Sequence, residues 1–447
     1  MAVGITRSQR LVLALVCAVA VSTIYAIQPV LEVASNALGM ARGSAGWLVA
    51  VGQIGYLAGL VLLVPLGDVS DRRRLITVHL VLTAVGASIA AVAPNAAVAM
   101  AGLLVAGLFA VVVQVTVAYV AAVSEPSERG RAIGAVTSGV VIGILGARVV
   151  AGFLGEVLGW RVVYALLAVL CGALAVIVRV MLDADRRTSG LRYVGVMASM
   201  GRLVRADHLL LSRGAVALLL FASFGTLWSG LALPLGAAPW HLGTARIGLF
   251  GLAGLAGAAG AARAGRWADY GRAQAITGAA LALLTLSWVL IAKAETNLWV
   301  LVVGIVLLDF AVQAVHVSSQ HMVTGAHPNR AGSVIGAYMA CYSLGSALGA
   351  ISTTWAYGIW GWVGCCWCGA GYSAAALVLW GLVQAGFGRP MGLSSAKASL
   401  LAMVGTRGCG SDPPGVRFRW VTGWSVAAGK LDRCGARPRH AGRGRRG

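Results

Sequence analysis

Residues 65–76 read PLGDVSDRRRLI, which places two acids and three arginines between Asp68 and Arg74. The 447-residue chain as a whole is only 11% charged, whereas an ordinary soluble domain is charged at about a quarter of its positions. Charge gathered this tightly, directly after an apolar run, marks a boundary. What lies on its two sides decides the fold.

On both sides the chain is apolar: 59% of residues are hydrophobic and the mean hydropathy is +0.84. The apolar residues come in runs of about 20, the length that crosses a hydrocarbon core as a helix. Helices are the form expected, because lipid leaves every backbone polar group to be satisfied within the segment. Twelve spans are expected, at 11-31, 45-66, 75-94, 97-123, 131-154, 162-182, 213-235, 245-264, 275-293, 297-319, 331-353 and 359-384. The run after Arg7 and Arg10 has the look of a secretory signal, but it is long and many spans follow it, so it reads as the first transmembrane helix.

Short loops rich in Lys and Arg stay in the cytoplasm. Counted from an inside N-terminus, the inside loops hold Arg72, Arg73, Arg74, Arg129, Arg131, Arg186, Arg187, Arg192, Arg202, Arg205, Arg263, Arg266, Arg272 and Arg330. The outside loops hold Arg42, Arg161, Arg246 and Lys293. This bias predicts an even number of spans with both termini cytoplasmic. It also accounts for much of the net charge of +21 without a nucleic-acid partner; the rest lies in the tail, where Gly388 to Gly447 carries a net +10. That tail has no apolar period and ends in GRGRRG, so it reads either as a disordered segment that meets anionic lipid headgroups or as a coding-frame artefact.

The opening stretch has an echo. Gly67-Asp68-Val69-Ser70-Asp71-Arg72 follows the second span, and Gly265-Arg266-Trp267-Ala268-Asp269-Tyr270-Gly271-Arg272 follows the eighth, 198 residues later. Ile133-Gly134 matches Ile335-Gly336, and Gly159-Trp160 matches Gly361-Trp362, each 202 residues apart. Matches in order at nearly one offset imply a repeated six-helix unit. The expected organisation is a first half at 1-182, a cytoplasmic linker at 183-212, a second half at 213-386 and the tail at 387-447. Two such halves around a midplane cavity are the plan of a secondary transporter.

With those residues in view, the chain resembles the major facilitator superfamily. GDVSDRRR is similar to that family's loop motif G-x-x-x-D-R-x-G-R-R, GRWADYGR to its second-half copy, and PSERGRAIG, GWRVVY and YAIQPVLEVA support the likeness over about residues 10 to 385. The nearest subgroup is the bacterial twelve-span efflux type. The resemblance implies an all-α integral membrane fold of twelve helices in two pseudo-symmetric halves. It also implies a cytoplasmic gate at Gly67, Asp71, Arg72 and Arg74 with Gly265, Asp269, Gly271 and Arg272, where a carboxylate meets the N-terminus of a neighbouring helix. Arg73 and Arg74 depart from the motif. In the fifth span, GVVIGILGARVVAG puts Arg148 where the efflux type carries a proline, while Gly139, Gly143, Gly146 and Gly152 permit close helix approach. The family's helix-four arginine has no counterpart in AGLLVAGLFAVVVQ.

An arginine inside a span is a functional candidate by default, and Arg148 is either that or a side chain snorkelling to the outer surface. In the tenth span Asp309, Gln313, His316 and Gln320 fall at i, i+4, i+7 and i+11 and share one helix face. This face is expected to line the cavity, with Asp309 as proton carrier and His316 sharing the task; an interhelical hydrogen-bond seam is the plainer reading. Tyr25, Gln28, Gln114 and Tyr119 are weaker candidates for substrate contacts. Cys365, Cys366 and Cys368 have no His or carboxylate at ligand spacing, so no metal is expected.

No phosphate-binding loop appears, so the expected energy source is an ion gradient, with protons as partner and no cofactor. The function read from this is efflux of a small amphipathic molecule by a monomer in the bacterial cytoplasmic membrane. The alternatives are an importer or facilitator of the same fold, a sensor that does not transport, and an integral membrane enzyme, for which no catalytic arrangement is present.

Overall fold

Every apolar run that the sequence offers is helical in the computed structural model of the chain, which describes residues 6–125, 128–184, 193–195, 198, 207–267, 273–326 and 331–387. Among the described residues nine helices are long and apolar enough to cross a membrane, and Gly46–Leu62 and Thr244–Ala259 are shorter apolar helices. One of the nine, within Ala331–Phe387, bends at Gly361, whose φ of 63° a helix cannot hold. Divided there, and with the two shorter apolar helices, the candidate spans among the described residues number twelve.

In order, the spans are Arg7–Tyr25, Gly46–Leu62, Arg72–Ala91, a fourth in two pieces (Ala96–Phe109 and Val112–Val123), Arg129–Val157 and Trp160–Met181. The second set is His208–Gly230 extended by Ala232–Gly236, Thr244–Trp267, Ala273–Ile291, Leu298–Ala326, and the two arms of the last helix. The first span is shorter than the expected 11-31, because Pro29 offers no N–H and disfavours helical backbone at Gln28. The chain turns at residues 26–30 and resumes as the short helix Leu31–Ala37, which leaves Gln28 just past the helix end. The tail 388–447, most of the linker and loop residues 268–272 lie outside the described residues.

Glycine sets how near the helices approach. A Cβ on Gly139 would stand 2.2 Å from the Ala14 carbonyl oxygen, and one on Gly143 2.4 Å from that of Ala18, so the fifth span lies directly against the first. Gly152 makes a similar approach to the Thr244 carbonyl of the eighth span, at 2.4 Å. Gly146 does not: it meets nothing nearer than a side chain of its own helix at 3.9 Å, so the expectation of a close approach there is corrected. Outward, Leu11, Val169 and Trp367 are 67–75% exposed, which suits a surface bathed in lipid tails.

The face that carries Arg7 and Phe387 is the termini face; the opposite one is the distal face. The two halves meet toward the distal face through two antiparallel pairs, the fifth span with the eighth and the second with the eleventh. In the first pair Thr244 Oγ1 donates to the Gly152 carbonyl at 2.8 Å, and the Ala245 N–H donates to Glu156 Oε2 at 2.8 Å. In the second pair the Gly46 N–H donates to Thr354 Oγ1 at 3.2 Å. Thr244 stands 198 residues after Gly46, and Thr354 stands 202 after Gly152, the same offsets that relate the two charged loops and the Gly-Trp anchors. Each seam therefore joins one glycine to one threonine with the halves exchanged. The repeat inferred from sequence is a physical two-fold at the distal closure.

Candidate functional site

Inside the bundle the polar residues gather around Arg148, which is 1% exposed. Its guanidinium does not snorkel to the surface. Nε donates to Gln28 Oε1 at 3.0 Å and Nη1 to the Ile144 carbonyl at 3.1 Å. The guanidinium carbon lies 3.9 Å from the Trp228 ring centroid, 5.4 Å from Tyr25 and 5.6 Å from Phe224. A desolvated cation over an aromatic face gains about 2 kcal/mol or more, so the first half's arginine is held by the seventh span of the second half. The break at Pro29 brings Gln28 to it.

Further contacts cross between the halves beside it. The hydroxyls of Tyr25 and Tyr342 hydrogen bond, and Ser343 Oγ donates to the Gln53 carbonyl at 2.7 Å. Within the first half Gln114 Nε2 donates to the Tyr56 hydroxyl at 3.3 Å. Tyr119 donates to the Asp183 carbonyl at the far end of the sixth span, away from this cluster.

Asp309 is also 1% exposed. Its charge and that of Arg148 act on each other, yet no ion pair within 4.0 Å joins them. A Cβ on Gly254 would meet the Trp228 ring at 2.8 Å and Asp309 Oδ2 at 3.2 Å, so the indole has Arg148 over its face and Asp309 near its edge. The shared face of the tenth span divides here. His316, about 10 Å further along the helix, pairs through Nδ1 with the Tyr338 hydroxyl at 3.1 Å and through Nε2 with Gln320 at 3.1 Å. Its ring also meets Phe221 edge-on at 5.2 Å. Gln313 is half-buried between the two. The His316 end has the form of a seam to the eleventh span, and the Asp309 end faces the Arg148 cluster.

Asp71 caps its own helix, accepting from the Arg73 N–H at 2.8 Å and the Arg74 N–H at 3.4 Å. Arg72 is buried, and its Nε is 3.8 Å from where a Cβ on Gly67 would sit; Arg74 is exposed. Arg73, the departure from the motif, donates to the Leu182 carbonyl at 2.9 Å. With Gln9 donating to Met181 at 2.9 Å and Tyr119 to Asp183 at 3.2 Å, it satisfies the end of the sixth span, where helix carbonyls lack partners. The helix N-terminus that Asp71 caps is its own. Of the second copy, Gly265 continues the eighth span, while Asp269, Gly271 and Arg272 lie outside the described residues.

This geometry separates two roles for Asp71. Replacing it by Ala removes the cap and should cost about 0.5–2 kcal/mol, read as a lower unfolding temperature in detergent. Asp71→Asn keeps the capping oxygen and should unfold close to wild type; any loss of flux in that variant reports the charge alone.

Phe221, Phe224 and Trp228, with Tyr338 and Tyr342, were not among the candidates from sequence, although their three- and four-residue spacings put each set on one helix face. Aromatic residues are common in spans at lipid interfaces, so spacing alone does not mark them.

Comparison with known proteins fits this arrangement. The sequence pattern described as Major Facilitator Superfamily matches residues 11–350. The uncharacterized transporter YgaY of Escherichia coli, in strains K12 and O157:H7, is 37% identical over 363 residues, which is 81% of this chain and 92% of that protein. Among solved structures, a bacterial homolog of the human lysosomal transporter Spinster, inward-facing and occupied, superposes with a TM-score of 0.67 at 15% identity, covering 84% of this chain and 94% of that one. The likeness to that structure is one of fold.

Proposed function

The chain belongs to the Major Facilitator Superfamily, a membrane transporter family, and from that premise we propose that it exports a small amphipathic molecule by alternating access, driven by an ion gradient. The observation that carries this reading is the placement of two buried charges, Arg148 in the fifth span and Asp309 in the tenth, on different halves at the level where the halves touch. Charge inside a membrane is expensive and marks substrate or ion pathways. Asp309 carries the exchanged proton, as an antiporter requires. Tyr25, Gln28, Gln114, Gln313, His316 and Arg148 surround the path. The halves 1–182 and 213–386 rock about it as units joined by the linker 183–212. With the distal face closed, the path opens at the termini face, which the arginine bias makes cytoplasmic. There Gly67, Asp71, Arg72 and Arg74, with the second-half loop, govern closure. The chain acts as a monomer in a bacterial cytoplasmic membrane.

The test is flux in reconstituted vesicles with and without a pH gradient, the substrate having been found by accumulation of a compound panel in cells lacking their own exporters. The gradient should accelerate wild-type flux, and Asp309→Asn should lose that acceleration. Unchanged gradient-driven transport in the variant would remove Asp309 from coupling.

A further inference from the structure

Four buried polar atoms around the central cluster have no hydrogen-bond partner: Arg148 Nη2, Gln28 Nε2, Trp228 Nε1 and Asp309 Oδ2. The first three are donors, and their residues line one cavity of ≈ 10 Å³, closed on its apolar side by Leu231 and Ile247. The fourth is an acceptor that adjoins the Trp228 ring beside Gly254. Each buried group left unmatched costs about 1–3 kcal/mol, and four in one place call for a ligand that matches all of them. The Trp228 indole N–H lies close enough to the Asp309 carboxylate to interact with it, so these two groups offset each other in part.

We propose that the substrate is a zwitterion of the α-amino-acid type with an apolar side chain, its carboxylate held by Arg148, Gln28 and Trp228 and its ammonium by Asp309. This rests on the reading above that the Arg148 cluster is the substrate site.

Charge balance carries the choice of class. The site holds one fixed cation and one carboxylate, both 1% exposed and not in contact. A simple anion would bind Arg148 but face the charge of Asp309, and a simple cation would bind Asp309 but face Arg148; at low dielectric each mismatch is expensive. A zwitterion brings one charge of each sign and leaves none uncompensated. Its carboxylate has about four lone-pair positions for three waiting donors, and Arg148 offers it a charge-assisted bond. Its ammonium donates to Asp309 Oδ2. Tyr25, Phe224 and Trp228 supply the apolar and aromatic surroundings that a side chain would meet. The cavity is far smaller than the roughly 300–1,000 Å³ of an ordinary ligand pocket and in this closed arrangement has room for about one water, so the zwitterion binds only once the halves part and the site widens. An ammonium and a transported proton would compete for the same carboxylate, which is what exchange requires.

The test uses the purified full chain and three labelled probes, alanine, leucine and phenylalanine. Each is set against its methyl ester (cation), its N-acetyl form (anion) and its N-acetyl amide (neutral). At least one amino acid should bind about tenfold or more better than all three of its analogues, as loss of a buried charged partner implies. Arg148→Gln should erase the advantage over the ester, and Asp309→Asn the advantage over the N-acetyl form. The proposal is overturned if no amino acid binds, or if an analogue binds as well, the result expected if water alone satisfies these groups. The wild-type series decides the matter even where a variant folds poorly. Gradient-driven flux of the same compounds separates the two readings. Equal driven flux of the neutral form sinks the zwitterion and leaves the exporter standing; selective binding without driven flux does the reverse.

Discussion

Gly248→Leu should bring transport to background in a protein that still inserts and folds. A Cβ at Gly248 would lie 2.5 Å from the Arg148 carbonyl oxygen, 3.3 Å from its carbon and 3.3 Å from the Gly152 Cα. All three atoms are backbone of the fifth span, so no side chain can rotate away. The fifth and eighth spans must separate to admit even a methyl group, and leucine requires more. Overpacking costs about 1–3 kcal/mol for modest insertions, and that cost falls only on the state in which these spans touch. A bias of that size moves a two-state equilibrium by about 5–150-fold. The distally closed state is then depleted and the cycle stalls. The check is vesicle flux beside a size-exclusion profile; Gly248→Ala should show the same defect in milder form. Full flux in Gly248→Leu would mean that this contact is not on the transport path. Gly146→Leu is the control, since nothing from a neighbouring span stands within 4 Å of a Cβ there.

The sequence was a good guide to the spans, because lipid permits few alternatives to a helix of about 20 residues. Its larger error, the first span, came from reading Gln28-Pro29 as part of an apolar run instead of as its end. The charged loop was legible as a topological boundary but less so as a machine. Nothing in the string GDVSDRRR says that Asp71 caps its own helix or that Arg73 reaches the end of the sixth span at Leu182. Such partners are set by packing between segments far apart in the chain. Arg148 was legible as a choice between surface and interior, and the structure places it inside. Trp228 and Phe224, which enclose it, could not be chosen from sequence, since their importance lies in facing an arginine about 80 residues away.

The glycine–threonine exchange at the distal closure joins sequence to movement. The repeat offsets of 198 and 202 residues predict which positions correspond, and Gly46 with Thr354 and Gly152 with Thr244 are corresponding pairs in which the roles are swapped. Two seams related in this way can open together, since each carries one or two hydrogen bonds over closely fitted backbone.

That both seams open during transport is the centre of the account, and a reversible staple across one of them tests it. A Cβ at Gly358 would lie 3.7 Å from the Gly43 Cα, a spacing from which a disulfide can form. Gly43→Cys with Gly358→Cys should cross-link under mild oxidation, stop flux, and recover it on reduction, while each single variant transports under both conditions. Full flux through quantitatively cross-linked protein would contradict alternating access at the distal face.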